Sequence, residues 1–186
     1  MTTETQETML KALQVLSTLT EVPVEIKEFQ DNWLMITYDL PHSEAGDKAR
    51  SEFLQQAGHI GAVQHTESVY LLPWTAHANL EVIKLSEVGR VYCWYGAATT
   101  TEQMEELSRI YDAGLAKQVD RIEERAVRIL GHVSDNHHKM ARKMLDATWP
   151  HFLGLARSVV ARGDMLMAQR LNTVREVLNL CQVQLE

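Results

Sequence analysis

From Thr101 to the end of the chain the apolar residues keep a helical period, whereas the residues before Thr101 switch between alternation and helical spacing. That change of period divides the chain into a sheet-bearing first half and a bundle of about three helices, and so assigns it to the α+β class. The bundle stripe begins with Leu107, Tyr111, Leu115, Ile122, Ala126 and Ile129. A second helix, capped at Ser134 or Asp135, carries Pro150 in its interior, where a proline should kink or split it. The third starts at Asp164, and Met167, Leu171, Val174, Leu178, Cys181 and Leu185 form a heptad seam along it. Such a seam either dimerises with a second subunit or is covered within its own chain.

The first half opens with a short amphipathic helix containing Met9, Leu13 and Leu16, then breaks at Pro23. "WLMITYDL" suits a pleated strand and runs into Pro41. "HSEAGDKARSEFLQQAG" follows, a helix capped at Ser43 and stopped at Gly58, with Ala49, Phe53 and Leu54 turned inward. Two short strands, Ala62–His65 and Ser68–Leu72, are joined by a polar turn. "TAHANLEVIKLSEVG" is a helix with Ala78, Val82 and Leu85 on one face, and "RVYCWYGAA" is the last strand. The order β-α-β-β-α-β is that of a ferredoxin-like sandwich. The expected division is therefore an N-terminal helix and linker over 1–31, a ferredoxin-like domain over 32–100 and the helical bundle over 101–186.

Charge limits the partners. The formal net charge is −7. Residues 1–100 hold 6 Lys and Arg against 13 Asp and Glu, whereas residues 101–186 hold 12 of each. The acidic first half repels phosphate backbones, so nucleic-acid contact would have to be local and in the second half. No apolar run approaches the ~18 residues of a membrane span, and no basic segment precedes the first apolar residues as in a signal peptide. Cys93 and Cys181 are far apart and form no CxxC pair. A cytoplasmic protein without membrane contact is expected.

Several short motifs resemble known families. "WLMITYDLP", a helix containing Arg50, and "VQHTESVYLLP" resemble three groups of ferredoxin-like proteins. Tyr38-Asp39, Val63-Gln64 and Ser68-Val69-Tyr70 are similar to the first strand and second hairpin of the small metal-dependent CRISPR adaptation nuclease. The corner "YDLP" resembles the C-terminal region of the phenylacetate-pathway repressor PaaX. "SVYLLP" resembles the N-terminal domain of the chromate-resistance regulator ChrB, and that family is also similar beyond the sandwich, at "LSRIYDAGLAKQV" and "ATWPHF". The ChrB resemblance implies transcription regulation: a non-catalytic regulatory or assembly protein, leaning away from an enzyme, that acts through a protein partner or homodimer and through DNA contact. No cofactor is expected on that reading. The nuclease resemblance implies instead that Asp39 helps to hold a divalent metal; the alternative is that Asp39 only shapes the Leu40-Pro41 corner.

Other side chains carry chemistry of their own. Lys117, Arg121, Arg125 and Arg128 lie on one helix face, and Lys139, Arg142 and Lys143 on the next helix could extend it as a phosphate-contacting surface. The alternative is a solvated surface paired with Asp120, Glu123 and Glu124. His132, Asp135, His137 and His138 could hold a metal or an anion, or merely cap a helix. An oxyanion sensor built from such His and Arg side chains is the third functional alternative. Trp33, Trp74, Trp94 and Trp149 are expected in the core.

Overall fold

A computed structural model describes residues 3–24, 32–74 and 90–186 of the protein. The Ser43 hydroxyl accepts a hydrogen bond from the Gly46 N–H (3.2 Å), satisfying one of the donors that a helix start leaves open. The chain runs α1 (Thr3–Thr20), β1 (Asn32–Asp39), α2 (Glu44–His59), β2 (Val63–Thr66), β3 (Val69–Pro73), β4 (Arg90–Ala97), α3 (Thr101–Ser134), α4 (His138–Arg162) and α5 (Met165–Leu185). The protein is α+β and mostly helical. The helix expected around Ala78, Val82 and Leu85 falls outside the described residues.

The four strands form one sheet in the order β2-β3-β1-β4, and every neighbouring pair is antiparallel. Because strand side chains alternate between faces, β1 serves two cores. Leu34 and Ile36 pack with Phe53 and Ala57 of α2 and with Tyr70 and Leu72 of β3. Trp33, on the opposite face, joins Val63 and Leu71 in the larger core shared with the helices. β4 is an edge strand that leaves Tyr92, Trp94 and Tyr95 exposed. Trp74 is exposed as well, so two of the four tryptophans expected inside, Trp74 and Trp94, stand at the surface. Leu54 is also 44% exposed instead of turned inward.

The bundle forms as its periodicity requires. Tyr111, Leu115, Ile122, Ala126 and Ile129 are buried along α3, joined by Val119 and Val133. The seam of α5 is buried within its own chain: Leu171, Val174, Leu178, Cys181 and Leu185 pack against α1, α3 and α4. It is therefore not free to serve as the dimer surface, and α1 is one of the elements that cover it. α4 runs unbroken through Pro150, contrary to a split there. The carbonyl that the proline leaves without its N–H partner belongs to Asp146, an exposed residue. The cap expected at Ser134 or Asp135 is absent too. Asp135 closes the end of α3, Asn136 turns with φ 58°, and α4 begins after His137 without a side-chain cap.

Sheet and bundle meet at one joint. The Tyr111 hydroxyl donates to the Gly61 carbonyl (3.0 Å) and the Gln118 amide donates to the Ala62 carbonyl (2.9 Å). Trp33 packs on Tyr111 with ring centroids 5.2 Å apart, and the Arg162 guanidinium lies 5.7 Å from the Trp33 ring. None of the helices among the described residues is long and apolar enough to cross a membrane.

Candidate functional site

The middle of α3 carries two charged groups, and Arg128 borders both. In one, Asp120 and Glu123 face α5, where Arg170 donates to the Asp120 carboxylate (2.6 Å) and to both Glu123 oxygens (2.8 and 2.6 Å). These bonds hold the Arg170 guanidinium well above its ordinary pKa, with Glu123 the larger contributor and Asp120 next. The other comprises Arg121, Arg125 and Arg128. Two of the three carboxylates that sequence proximity offered them, Asp120 and Glu123, are taken by Arg170, while Glu124 is exposed; none of the three arginines has an ion-pair partner among the described residues.

These arginines line a cleft of about 700 Å³ at the β2 edge of the sheet. α3 supplies one wall with the three guanidinium groups, Gln118 and Ile122. α4 supplies Met144, Thr148, His151 and Leu155, which fall on one helix face at steps of four, three and four. α2 contributes Leu54 and Ala57, and the sheet end closes with Ala62, Gln64 and Tyr70. No carboxylate is among the lining residues. Tyr70 is 4% exposed, and its hydroxyl has no hydrogen-bond partner. Burial, aided by the neighbouring Tyr38, pushes its pKa up to about 12, so it remains a neutral donor. The volume is that of a small-molecule site rather than a single-ion site.

His151 sits between the arginine wall and α2. Its Nδ1 lies 3.3 Å from the Ala147 carbonyl, and its ring meets the His59 ring edge-on with centroids 4.4 Å apart. Gly58 permits this approach, since a Cβ there would fall 2.6 Å from His151 Nε2. Both imidazoles are held below the ordinary value of 6.5, first by burial; the neighbouring His151 lowers His59 further, and at His151 the Ala147 carbonyl opposes the shift while the Arg125 charge adds to it. Each is a base whose folded pKa lies below its unfolded one, so below about 6.5 the unfolded chain binds more protons. The stability they contribute is therefore complete above pH 6.5 and is lost as the pH falls through their folded values. Thermal denaturation between pH 7.5 and 5 should show a falling Tm, and the double variant His59→Asn/His151→Asn should flatten that slope.

The structure places the other predicted residues elsewhere. Asp39 is exposed at the end of β1, opposite Arg90 in the strand register, and α2 is capped by Ser43 rather than by Asp39. His42 is exposed beside it. His132 and His137 approach with ring centroids 5.9 Å apart in the α3–α4 turn, with Asp135 and His138 exposed nearby. No set of three potential metal-ligating side chains comes together among the described residues. Lys117 is exposed on α3 outside the cleft lining, as are Lys139 and Lys143 on α4. Arg142 instead bonds the Leu185 carbonyl at the end of α5. Of the seven basic residues expected to align, three share the cleft.

Reasoning on the sequence missed Tyr70, His151 and Thr148. The one available signal was a pair of polar residues three apart, Thr148 and His151, interrupting an apolar face of α4. No protein-family model, curated protein or solved structure matches the chain.

Proposed function

We propose that the protein is a non-catalytic regulator that binds an anionic ligand in the cleft between α2, α3, α4 and the β2 edge. One observation carries this reading: three arginines line a cavity whose lining holds no carboxylate, while Arg170 pairs with Asp120 and Glu123 of the same helix. Guanidinium groups left unpaired in a concave, partly apolar site favour anions. The strand order β2-β3-β1-β4 supports the ferredoxin-like reading of the sheet. A sandwich joined to a bundle also suits the resemblance to the ChrB N-terminal domain. Occupancy of the cleft would alter how α2 and the sheet edge sit on α3 and α4, and so offer a protein or DNA partner two different surfaces.

The test is isothermal titration with pyrophosphate at low ionic strength. Saturable one-site binding is expected, weakened about tenfold or more by Arg121→Gln/Arg125→Gln and unchanged by Lys139→Gln/Lys143→Gln. Equal weakening by both pairs would reduce the cleft to general surface charge and sink the proposal. A labelled 30-base-pair duplex that binds, and is displaced by removal of Lys139 and Lys143 rather than of the cleft arginines, would favour a nucleic-acid surface instead.

Arg170 supplies an indirect check. Arg170→Ala should release the Asp120 and Glu123 carboxylates, which lie on the same helix as the arginine wall. Pyrophosphate affinity is expected to fall severalfold at low salt and to recover toward the wild-type ratio at high salt, as screening predicts.

A further inference from the structure

The cleft is larger and more apolar than an inorganic oxyanion requires, and its polar groups are unevenly distributed. α3 and α4 are antiparallel neighbours closed by a short turn, so position along α3 measures distance from the sheet. Gln118 marks the sheet end through its bond to the Ala62 carbonyl. Arg128 lies ten residues further on, about 15 Å at the α-helical rise. Arg125 stands between them, close enough to His151 to lower its pKa. Toward the sheet the walls are Ala57, Ala62, Ile122, Leu155 and the Tyr70 ring. Among the described residues that line the cleft, the one buried side-chain polar atom without a hydrogen-bond partner is the Tyr70 hydroxyl.

From this we infer that the ligand is an organic phosphate: a phosphate monoester or diphosphate on an apolar, ring-bearing body. Its phosphate meets Arg125, flanked by Arg121 and Arg128, and its body lies toward Tyr70, Ala57 and Leu155. The inference rests on the anion-binding reading of the cleft and adds the chemical class. A single carboxylate offers one charge and two oxygens to three guanidinium groups. A phosphate monoester carries roughly −1.5 to −2 charges and three acceptor oxygens, a closer match to that cationic wall. The Tyr70 hydroxyl, kept protonated, donates to an acceptor atom on the buried body and so satisfies a donor that burial otherwise leaves unmet. Leu54, half exposed at the α2 wall, covers the ring where it leaves the apolar end.

The experiment compares inorganic phosphate, 1-naphthyl phosphate and 1-naphthol by isothermal titration at one ionic strength. Naphthyl phosphate is expected to bind on the order of tenfold to a hundredfold tighter than inorganic phosphate, the range that burying an aromatic ring supplies. Naphthol should bind weakly. Leu54→Gln, at an exposed position that the fold does not need, should weaken naphthyl phosphate and leave phosphate unchanged, whereas Arg125→Gln should weaken both. Equal affinity for phosphate and its naphthyl ester would overturn the ligand class and leave the anion site standing. Naphthol binding as tightly as its phosphate would overturn the anionic reading itself, and no binding of any of the three would remove both.

Discussion

Replacing Gly61 with alanine is expected to destabilise the protein by about 2–5 kcal/mol, the sum of a left-handed backbone penalty of about 1–2 and an overpacking penalty of about 1–3. Gly61 has φ 77°, and a Cβ there would lie 2.4 Å from both the Gly154 carbonyl oxygen and Ser158 Oγ. The first of these obstacles is backbone of α4, which cannot rotate aside as a side chain can. The Gly61 carbonyl meanwhile accepts from the Tyr111 hydroxyl (3.0 Å) and the Ser158 hydroxyl (3.3 Å), so displacing the loop loosens two buried donors as well. Against a total stability of ~5–15 kcal/mol this is a large fraction. Urea unfolding should show a lower midpoint with an unchanged slope. Gly131→Ala is the control: it lies within α3, where nothing is within 4 Å of the added carbon, and should stabilise by about 1 kcal/mol. A Gly61→Ala midpoint indistinguishable from wild type would mean that the joint between sheet and bundle yields freely.

What could be read from the sequence follows from the range of the interactions. The stripe of α3 was legible because each of its members is set by its own helix, and Tyr111 through Ile129 are buried as their spacing predicts. The strands of the first half were legible for the same local reason, as was the Ser43 cap. Leu54 was misplaced because the pattern around it gives no hint that the adjoining wall of α3 stands back to form a cleft. The seam of α5 reads identically whether a partner or α1 covers it, and only the tertiary arrangement decides. The arginine stripe shows the difficulty most plainly. From sequence, Asp120, Glu123 and Glu124 are its natural neutralisers, and nothing local reveals that Arg170, some fifty positions away on α5, binds two of them. The same holds for Tyr70, whose ring packs beside Tyr38 and Phe53 and whose buried hydroxyl is left without a hydrogen-bond partner.

A second large loss is expected for Asp112→Ala, about 2–3 kcal/mol in urea denaturation. Arg162 donates from Nε and Nη2 to the two Asp112 oxygens at 3.0 and 2.8 Å, a paired geometry that fits a guanidinium to a carboxylate. The Arg162 side chain is 8% exposed, whereas Asp112 is 45% exposed, and this asymmetry decides the outcome. Removing the aspartate leaves a charge buried against Trp33 without its counter-ion, the costly way to break such a pair, worth roughly 3–5 kcal/mol when both partners are buried. The expected value is lower because the vacated carboxylate site is half open and water can replace it in part. Arg162→Met should lose only about 1 kcal/mol, since the stem still packs on Trp33 and the half-exposed Asp112 regains its hydration. The double variant should then be more stable than Asp112→Ala alone, and equal losses for both single variants would refute the burial argument. Raised salt should leave the ranking intact, because a pair with one buried partner is poorly screened. The bond lies near the sheet end of α3 and α4, and the Asp135–His137 turn closes the other end. Between these two constraints the helices keep one register, and that register sets Arg125 beside His151 at the cleft.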